Sequence, residues 1–428
     1  MKILFLSHYF PPEVNAPASR TFDHCRAWVR AGHDVTVVTC VPNCPDGVVF
    51  EGYRNRLRVQ EENIEGIRVV RIWTFVAANA GTFWRMVNYV SYMISATVNA
   101  IRLPRPDIVV ATSPQFFCGW AGVFVASLKR APFVLEIRDI WPESITAAEG
   151  LKRGRSLLGM VQRLADWMYL SADHIVAVGD GYRAKILERV AIPERVSVIT
   201  NGVDLSFFAG GARDSAFLRQ WGLCGKFVCS YVGTVGMAHR LDVVLRAARL
   251  LRERGRSDIV FLIVGDGAER RKLEAAARAT GVEDLVVFTG RLPKEMMPTI
   301  LASSDACLVH LRKCETFTTV LPSKIFETMA MSRPIIMGVE GQARDIVMAA
   351  QAGVAMEPES ETSLVAAVEK MADEPQTASQ LGRAARAYVA QHYDRNMLAA
   401  RYVMLLERVA KARMKTALAS ESPATGAK

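Results

Sequence analysis

Short apolar runs alternate with longer amphipathic segments through the first half of the chain. Lys2–Ser7, Asp34–Thr39 and Ile67–Trp73 have the composition of buried strands, and Thr21–Ala31 has the spacing of a helix. The Pro-rich stretch His8–Arg20 is predicted to be a loop. The alternation continues with helices that begin at Thr82, Gly119 and Ser156 and with strands at Asp107–Ala111, Phe133–Ile137, His174–Val178 and Val196–Thr200. This spacing predicts a doubly wound, mainly parallel sheet.

A turn-forming stretch at Asn201–Asp204, followed by the pair Gly210-Gly211, separates this series from a second one. The second series has a helix at Leu241–Arg254 and strands at Phe227–Val232, Ile259–Val264, Leu285–Thr289, Ala306–Leu311 and from Ile335. We therefore predict an α/β protein with two Rossmann-like domains, 1–205 and 206–395. The chain is helical in character after Ser379, and residues 417–428 are predicted to form a disordered tail.

Length and composition agree with two folded domains. A chain of 428 residues is too long for one ordinary core, and with half of its residues hydrophobic and 22% charged it is not a mainly disordered chain. The net charge of +10 comes from 53 basic and 43 acidic residues, but the basic residues are scattered and form no nucleic-acid-binding tract. This distribution favours an anionic small molecule or an anionic membrane surface as partner.

The cysteines and the start of the chain bear on the compartment. The eight cysteines include no CxxC pair and no zinc-ligand spacing, which indicates reduced, mostly buried thiols in a cytoplasmic protein and no metal site. Met1–Phe10 is predicted to contain the first strand and is too short for a signal peptide.

Two uncharged segments approach the length of a membrane span. Met86–Ile101 is uncharged for 16 residues but carries several Ser, Thr and Asn side chains. Ile108–Leu128 is uncharged for 21 residues but is interrupted by Thr112–Gln115. Neither segment is therefore predicted to cross a membrane.

The aromatic and aliphatic residues between Phe83 and Ile94 suggest a different relation to the membrane. They are accompanied by Arg85 and followed by Arg102, a pattern typical of a helix that lies in the headgroup layer. The alternative is that the same residues close the core of the first domain.

The densest group of candidate chemistry lies in Pro322–Gly338, PSKIFETMAMSRPIIMG. Ser323 is predicted to cap a helix that follows a buried strand, with Glu327 about one turn inside it. A helix that begins at the carboxyl edge of a parallel sheet directs N–H groups and its positive dipole end at an anion such as a diphosphate. Lys324 adds a positive charge there, and the carboxylate of Glu327 suits a pair of ribose hydroxyls. The alternative is that both side chains lie on a solvated helix start and bind no ligand.

Several ordered motifs can be compared with a known family. They are SHYFPPEVNAPASR followed by GHDVTVVT, ATSPQ at Ala111–Gln115, RDIWPES at Arg138–Ser144, VITNGVD at Val198–Asp204 and PSKIFETMA at Pro322–Ala330. With these motifs the chain resembles a family 4 glycosyltransferase of the GT-B fold, as far as about Arg413. RDIWPES and PSKIFE together resemble the WbuB-like subgroup, which is associated with the assembly of surface polysaccharides such as O-antigen.

The resemblance implies a retaining glycosyltransferase that moves an amino-deoxy sugar from a UDP-sugar to a polyprenyl-diphosphate-linked saccharide. The enzyme would be peripheral on the inner face of the cytoplasmic membrane. In the GT-B fold the two domains face a cleft, 1–205 binding the acceptor and 206–395 the nucleotide sugar, and the helix 396–416 packs back towards the first domain. No metal or separate cofactor is implied, because fixed positive groups can stabilise the departing diphosphate. Two alternatives stay open: a GT-B sugar-nucleotide epimerase or hydrolase, and a non-catalytic nucleotide-sugar-binding subunit.

The resemblance also implies donor-binding residues in the second domain. The last Glu of a Glu-x7-Glu motif, which holds the ribose, falls on Glu327, whereas the first falls on Thr319, so the sugar stays open. Many relatives place an Arg and a Lys of an earlier loop against the diphosphate, and here the candidates become Lys324, His239 and Arg240. The expected donor site is completed by Gly233, Gly236, Gly265, Gly290, Arg291, Leu292 and Ser323.

On the acceptor side, Asn15 and Arg20 fall in a stretch that resembles a family loop facing the cleft. Ala16 and Ala18 leave this loop without the glycine of the family. His8 is a further candidate to line the cleft, and a hydrogen-bonded structural role is the alternative.

Asp139 is the candidate to orient or deprotonate the acceptor hydroxyl, because it follows a predicted strand at its carboxyl end. A helix cap or an ion pair with Arg138 is the alternative. Glu143 is a further acceptor candidate. The predicted catalytic set is therefore Asp139, Lys324 and Glu327.

Overall fold

The computed structural model describes residues 1–44, 46–77, 82–142 and 155–421. They form two compact units, one made of Met1–Thr200 with the residues from Asn396 onward and one made of Asn201–Arg395. Each unit is a wound α/β sheet, which confirms the predicted fold class. Glu143, one of the predicted acceptor residues, lies outside the described residues.

The first unit has an eight-stranded sheet flanked by helices. Its strands are β1 (Lys2–Leu6), β2 (Asp34–Cys40), β3 (Gln60–Ile64), β4 (Ile67–Ile72), β5 (Ile108–Thr112), β6 (Phe133–Ile137), β7 (His174–Ala177) and β8 (Val196–Val198). Its first helices are α1 (Ala16–Arg30), α2 (Thr82–Arg102), α3 (Phe116–Lys129), α4 (Arg155–Ser171) and α5 (Asp180–Arg189). The strand order is β3-β4-β2-β1-β5-β6-β7-β8, and β3 pairs antiparallel with β4 while the other neighbours are parallel.

Both faces of this sheet are covered. β5 is buried along its whole length, which is typical of a parallel strand with helices on both sides. α2, α3, α4 and α5 cover one face with side chains such as Tyr92, Cys118 and Met168. α1 covers the opposite face with Cys25 and Trp28.

The second unit has a six-stranded sheet in which every pair of neighbours is parallel. Its strands are β9 (Phe227–Val232), β10 (Ile259–Val264), β11 (Val286–Gly290), β12 (Ala306–His310), β13 (Ile335–Gly338) and β14 (Gly353–Ala355), in the order β11-β10-β9-β12-β13-β14. Its helices are α6 (Ser215–Gln220), α7 (Asp242–Glu253), α8 (Arg270–Ala279), α9 (Met297–Ala302), α10 (Lys324–Ala330), α11 (Gln342–Ala349), α12 (Glu361–Asp373) and α13 (Pro375–His392).

The last helix, α14 (Arg395–Glu421), packs on the first unit from Asn396 onward. Trp28 of α1 donates its indole N–H to Ala399 O at 2.9 Å, and the rings of Trp28 and Tyr402 meet edge to face at 5.2 Å between centroids. Leu398 and Leu406 are buried in the same core cluster. The C-terminal helix therefore completes the α1 side of the first unit.

Several predicted boundaries were wrong, among them the start of the helix predicted from Gly119, which begins at Phe116, and the end of the first domain, which is Thr200 rather than residue 205. Two others have clear local reasons. α1 begins at Ala16 rather than Thr21, because Asn15 Oδ1 accepts the N–H of Ala18 at 2.8 Å and Pro17 suits the first turn of a helix. The predicted tail is helical as far as Glu421, where the sequence TALAS contains strong helix formers.

The edge strand β3 was missed because its sequence, QEENI, has no apolar run. It is nevertheless paired with β4 along its length, from Gln60 opposite Arg71 to Ile64 opposite Ile67. Among the described residues, no helix has both the length and the apolar composition needed to cross a membrane.

Candidate active site

Loops at the carboxyl edge of the second sheet approach one another through glycine. Gly233 follows β9 with φ 143°, and Gly265 follows β10 with φ 140°. A Cβ atom on Gly265 would lie 1.8 Å from Gly233 O, so a larger residue does not fit. Gly236, by contrast, has an ordinary extended φ of −127°. Backbone packing therefore requires glycine at 265, and the positive φ favours glycine at 233, whatever these residues also bind.

Lys324 reaches this glycine loop from the start of α10. Its Nζ atom lies 3.8 Å from the centroid of the Tyr231 ring. A Cβ atom on Gly233 would lie 2.8 Å from the same Nζ. Within the described residues Nζ is buried and makes no hydrogen bond. Burial lowers the pKa of Lys324 to about 7, although Glu327 acts in the opposite direction. The alternative of a solvated lysine is excluded for this side chain.

Tyr231 is a site residue that sequence analysis missed. It is a buried residue of β9, and its hydroxyl donates to Thr234 O at 2.7 Å. Lys324 Nζ lies over its ring, and the centroid of the His239 ring is 5.9 Å away. The available signal was a tyrosine within an otherwise small and aliphatic strand, FVCSYV, because a buried phenol needs a hydrogen-bond partner nearby.

His239 lies at the end of the 3₁₀ turn Met237–His239. Its Nδ1 is buried without a hydrogen-bond partner in the described part of the chain. Burial and then the charge of Lys324 lower its pKa to about 4, so the ring is neutral at pH 7. A neutral imidazole with one unused ring nitrogen is suited to a hydrogen bond with a ligand.

His310, at the end of β12, holds the backbone of this turn and was also missed. Its Nδ1 is 2.7 Å from His239 O, and its Nε2 accepts the N–H of Glu359 at 2.9 Å. Because Nε2 accepts, Nδ1 carries the proton and donates to His239 O. Burial lowers the pKa of His310, which agrees with this neutral tautomer.

Glu327 lies one turn after Lys324 on α10 and is half-buried. Burial raises the pKa of its carboxyl group, whereas Arg395, Lys294 and Lys324 act in the opposite direction. The structure therefore brings the predicted pair Lys324 and Glu327 together, with two further cations near the carboxylate. This arrangement offers hydrogen-bond acceptors and positive charge side by side.

The start of α10 differs from the predicted anion site. The helix has seven residues, and Ser323 has helical angles of φ −58° and ψ −26° without a side-chain capping bond. The N–H of Ile325 donates to Pro322 O and that of Phe326 to Ser323 O, both at 3.1 Å. Ser323 therefore occupies the predicted N-cap position, but its side chain makes no capping hydrogen bond because the backbone itself closes the turn. Since a two-turn helix has a small dipole, the positive charge at this edge comes mainly from Lys324.

Arg240 is engaged by carboxylates of its own surroundings. It has a left-handed φ of 43° and is exposed. Its guanidinium pairs with Asp242 at 3.0 Å and with Glu359 at 3.6 Å. Arg240 thus forms ion pairs with two carboxylates, whereas Lys324 Nζ and His239 Nδ1 are buried without a hydrogen-bond partner among the described residues.

The remaining donor candidates lie on neighbouring loops. Gly290 ends β11 with φ 71°, and its carbonyl accepts the N–H of Gly265 at 2.9 Å. Arg291 is exposed, and Leu292 packs against an apolar cluster. Thr319 ends the 3₁₀ turn Glu315–Thr319 and is half-buried.

In the first unit, Asp139 follows β6 and is half-buried. Burial raises its pKa to about 6, although Arg138 acts in the opposite direction. Ser113 Oγ accepts the N–H groups of Arg138 at 2.7 Å and Asp139 at 3.3 Å. The charge of Asp139 also contributes to raised pKa values of Tyr89 and Tyr182, whose burial is the main cause. Asp139 is thus an ionised carboxylate at pH 7 that can take up a proton at little cost.

Arg138 itself has a notable environment. Its Nη1 is buried and has no hydrogen-bond partner among the described residues. Burial lowers its pKa to about 10, so the guanidinium remains charged at pH 7. This edge of the first sheet therefore holds a buried positive charge next to Asp139.

His8 is a packed structural residue. It is buried, and its Nδ1 is 2.8 Å from Gln115 Nε2. The rings of Tyr9, Tyr89 and Tyr92 surround it at centroid distances of 4.8, 5.6 and 5.0 Å. Burial lowers its pKa to about 3, so the ring is neutral and accepts a hydrogen bond at Nδ1.

Asn15 and Arg20 also have partners within the first unit. Asn15 caps α1, as described above. Arg20 is buried and pairs with Glu136 of β6 at 3.0 Å. It also donates to Thr200 O at 2.6 Å and to Ile199 O at 2.7 Å. These contacts tie α1 to β6 and to the segment that follows β8, a role that the sequence did not indicate.

Within the described residues, no group of three His, Cys, Asp or Glu side chains is placed to hold a metal ion. Residues 15–202 match the model of the glycosyl transferase 4-like domain, and residues 219–388 match that of the glycosyl transferases group 1. The chain belongs to the family 4 glycosyltransferases. The two matches cover most of both units, and the donor and acceptor candidates described above fall largely within them.

This family 4 glycosyltransferase has curated relatives along most of its length. It is 26% identical to the putative colanic acid biosynthesis glycosyl transferase WcaI of Escherichia coli K12 over 382 residues, 86% of this chain and 91% of the relative. It is 27% identical to the GDP-mannose-dependent alpha-mannosyltransferase of Mycolicibacterium smegmatis over 384 residues, 86% of this chain and 88% of the relative.

Solved structures agree on the fold. HepE of Anabaena, in complex with UDP and glucose, superposes with a TM-score of 0.69 at 16% identity, over 95% of this chain and 99% of HepE. WaaG, a glycosyltransferase involved in lipopolysaccharide biosynthesis, has a TM-score of 0.66 at 16% identity, over 94% and 98% of the two chains. The GT-B fold expected from the sequence is confirmed.

Proposed function

We propose that this glycosyltransferase moves a sugar, with retention of configuration, from a UDP-sugar to a polyprenyl-diphosphate-linked saccharide in surface-polysaccharide assembly. The observation that carries the proposal is the buried Nζ of Lys324, which has no hydrogen-bond partner in the described part of the chain and lies beside Gly233 with Glu327 one turn away. A buried amine without a hydrogen-bond acceptor is suited to bind an anion.

The chemistry needs such a cation. When the bond between the sugar C1 and the β-phosphate oxygen breaks, the electron pair stays on the diphosphate, and the acceptor oxygen forms the new bond to C1. An ammonium about 4 Å from the developing charge interacts by about 4 kcal/mol at an effective dielectric of 20. The part gained in the transition state accelerates the reaction, so we propose a reaction that requires no metal.

The neighbours of Lys324 complete a donor site. The carboxylate of Glu327 is proposed to accept hydrogen bonds from the ribose hydroxyls, and the neutral His239 ring to contact the diphosphate. The glycine loop at Gly233 lets backbone approach the phosphates. HepE was crystallised with UDP, whereas the mycobacterial relative uses GDP-mannose, so the choice of UDP rests on the resemblance to the WbuB-like subgroup.

On the acceptor side, Asp139 is proposed to receive the proton of the attacking hydroxyl, because its pKa of about 6 leaves it ionised yet basic at pH 7. The lipid-linked saccharide and the amino-deoxy sugar rest on the same resemblance. WcaI and WaaG, whose names refer to colanic acid and lipopolysaccharide, support a role in surface polysaccharides. Such a substrate would keep the enzyme peripheral on the inner face of the cytoplasmic membrane.

The test is a transfer assay with a panel of UDP- and GDP-sugars and a polyprenyl-diphosphate-linked acceptor. We expect turnover with one UDP-sugar, an α-linked product from an α-linked donor by NMR, and unchanged rates after treatment with EDTA. Lys324→Ala should lower kcat/KM by about a hundredfold or more if it stabilises the leaving group. The matched control is Lys272→Ala, an exposed lysine on α8, which should behave like the wild type. Near-normal rates for Lys324→Ala would refute the site assignment.

The same assay separates the two alternatives. An epimerase or hydrolase would consume the UDP-sugar equally with and without acceptor. A non-catalytic subunit would bind the donor, as measured by calorimetry, but would not turn it over with any acceptor of the panel. The proposed function requires that donor consumption depend on the acceptor.

A further inference from the structure

The outer sides of α2, α3 and α4 form an apolar surface on the first unit, which we call the α2–α4 surface. The three helices cover the same face of the sheet, since their inner side chains belong to one core cluster. Their outer side chains are large, apolar and exposed: Ile94, Val98, Ile101, Leu128, Trp167 and Leu170. On α2, Ile94, Val98 and Ile101 follow the spacing of one helix face, and on the opposite side Tyr92, Ala96 and Ala100 are buried.

This division bears on the two interpretations that the sequence of α2 left open. The helix closes the core with one side, as Tyr92 demonstrates, and exposes apolar residues on the other. Near its start, Phe83 is 70% exposed and Trp84 is 54% exposed. The core interpretation is therefore confirmed for one side of the helix, and the other side exposes the apolar residues from which the sequence predicted a contact with the membrane.

Side-chain contacts join the three helices into one surface. Lys129, at the end of α3, donates through Nζ to Ile101 O at 2.7 Å, which ties α3 to the end of α2. Trp120 of α3 contacts Phe124 at a centroid distance of 5.7 Å and Trp167 of α4 at 5.1 Å. The exposed residues thus belong to a continuous patch rather than to isolated positions.

The charges on these helices are almost all positive. Along 82–102, 116–129 and 155–171 there are five basic residues and one acidic residue, a net charge of +4: Arg85, Arg102, Lys129, Arg155 and Arg163 against Asp166. Asp166 is paired with Arg189 at 2.7 Å, which neutralises it. An anionic partner would therefore meet no uncompensated carboxylate of these three helices.

A concave region continues the surface along α2. Its volume is about 750 Å³, and its lining includes Leu57, Phe83, Val90, Val98 and Arg102. Leu57 is 80% exposed and stands between the exposed residues Arg56 and Arg58. This region therefore resembles the α2–α4 surface, because in both places exposed apolar side chains lie next to arginines.

We propose, on the basis of the lipid-linked acceptor in the proposed function, that the α2–α4 surface docks on an anionic phospholipid bilayer. The apolar side chains enter the headgroup region, and Arg102, Lys129 and Arg163 bind lipid phosphates at its level. A second copy of the chain fits less well, because pairing this surface with itself would oppose two sets of positive charges. Docking brings the enzyme to the plane in which a polyprenyl-linked substrate is confined.

The experiment is flotation of the full chain with vesicles of phosphatidylglycerol and phosphatidylethanolamine, compared with vesicles of phosphatidylcholine alone. We expect binding to the anionic vesicles that weakens as salt is raised. The double variant Leu128→Glu/Trp167→Glu should bind about tenfold more weakly or worse, since each change removes one large apolar contact and adds a negative charge. Both residues are exposed, so the folded state should persist, as circular dichroism would verify.

The matched control is Met404→Glu on α14, an exposed apolar residue on the opposite side of the first sheet, close to Arg408 and Lys411. It should float like the wild type. Flotation of the double variant at the wild-type level, a loss confined to Met404→Glu, or a wild type that does not float would each overturn the proposal. The proposal would also be overturned if the wild type formed a dimer that the double variant does not form, because the α2–α4 surface would then be an interface between two copies of the chain.

Transfer to a water-soluble, short-chain acceptor separates this proposal from the proposed function. The double variant should keep its activity with that acceptor and lose activity only with the long-chain lipid in vesicles. If no UDP-sugar is transferred to either acceptor while flotation behaves as expected, the proposed function fails and the docking surface stands.

Discussion

The Nζ atom of Lys324 lies 3.8 Å from the centroid of the Tyr231 ring and makes no hydrogen bond within the described residues. The aromatic face and the charge of Glu327, which raises the pKa of Lys324 against burial, are thus the groups that favour the charged amine before a ligand arrives. A cation–π contact contributes about 0.5–2 kcal/mol, which is less than the desolvation of an ammonium costs. The pKa of about 7 follows from that imbalance, and it makes donor binding sensitive to pH.

Affinity for a UDP-sugar should fall as pH rises above about 7, because the Lys324 amine is then neutral and must take up a proton when the diphosphate binds. The limiting slope is about tenfold per pH unit for one proton. Calorimetry in buffers of different ionisation enthalpy measures this proton uptake directly. Lys324→Arg, which stays charged, should bind with little dependence on pH; equal pH profiles for both proteins would contradict the prediction.

The same shift affects stability with a definite sign. The pKa of the lysine is near its ordinary value of 10.5 in the unfolded chain and about 7 in the folded protein, so the unfolded chain binds more protons between these values. The free energy of unfolding should therefore rise with pH across that window in the wild type relative to Lys324→Met. Urea denaturation at several pH values checks the difference.

Tyr231→Leu should weaken donor binding by about five- to thirtyfold, because it removes the aromatic face that holds Lys324 near Gly233. Tyr231→Phe keeps the ring and loses only the hydroxyl bond to Thr234 O, so we expect a smaller loss, about fivefold. Titration with a UDP-sugar at pH 6.5 and pH 8.5 checks both. A positioning role also predicts that the pH dependence of binding changes in Tyr231→Leu and not in Tyr231→Phe.

Gly265→Ala should destabilise the second unit by about 3 kcal/mol or more, because the new Cβ would lie 1.8 Å from Gly233 O and the backbone has φ 140°. The matched control is Gly255→Ala, which also has a positive φ, 72°, but has no atom within 4 Å of the added Cβ. That change should cost only about 1 kcal/mol. Chemical denaturation measures both, and equal losses would show that close packing at Gly265 is not the cause.

Asp139→Asn should lower kcat by about a hundredfold and leave UDP-sugar affinity unchanged, since the carboxylate is proposed to accept the hydroxyl proton. In the wild type, kcat/KM should rise with pH through about 6, where the carboxyl group ionises. The control Asp34→Asn changes an exposed carboxylate at the start of β2. If kcat/KM of Asp139→Asn still rose with pH through about 6, the ionisation would belong to another group and the prediction would be wrong.

Arg20→Met should destabilise the first unit by about 3–5 kcal/mol, because it leaves the buried carboxylate of Glu136 without its ion pair. Adding Glu136→Gln should recover part of the loss. Burial acts to raise the pKa of Glu136, but Arg20, Arg138 and two hydrogen bonds outweigh it, so the folded pKa is lowered. The pair thus stabilises above the unfolded pKa, and its contribution is lost as pH falls through the folded one. An acid titration of stability that is identical in the wild type and the double variant would contradict this.

The fold was predictable because the buried parallel strands are marked by continuous apolar runs. Phe133–Ile137, Phe227–Val232 and Ile259–Val264 match the observed strands to the residue. β3 was not predicted because an antiparallel strand at the edge of a sheet needs no apolar run. The start of α1 was missed because a cap at Asn15 depends on one side-chain hydrogen bond and not on periodicity.

The site was predictable only in part. Lys324 and Glu327 share one helix, so their proximity follows from their spacing. Tyr231 and His310 belong to other strands, and their contacts arise from the order in which the sheet is assembled. The Lys324 amine is buried, and Arg240 forms ion pairs with Asp242 and Glu359. Both features depend on tertiary packing, which cannot be read from the pattern of a single sequence.

The packing of α14 on α1 has a consequence for the order of events during synthesis. The sheet face beneath Trp28 is completed by Leu398, Tyr402 and Leu406, which emerge from the ribosome only after the entire second unit. Part of the apolar face of the first sheet therefore stays exposed to solvent until translation is nearly finished. A nascent chain stalled before residue 396 would be expected to recruit chaperones, and a full-length chain would release them.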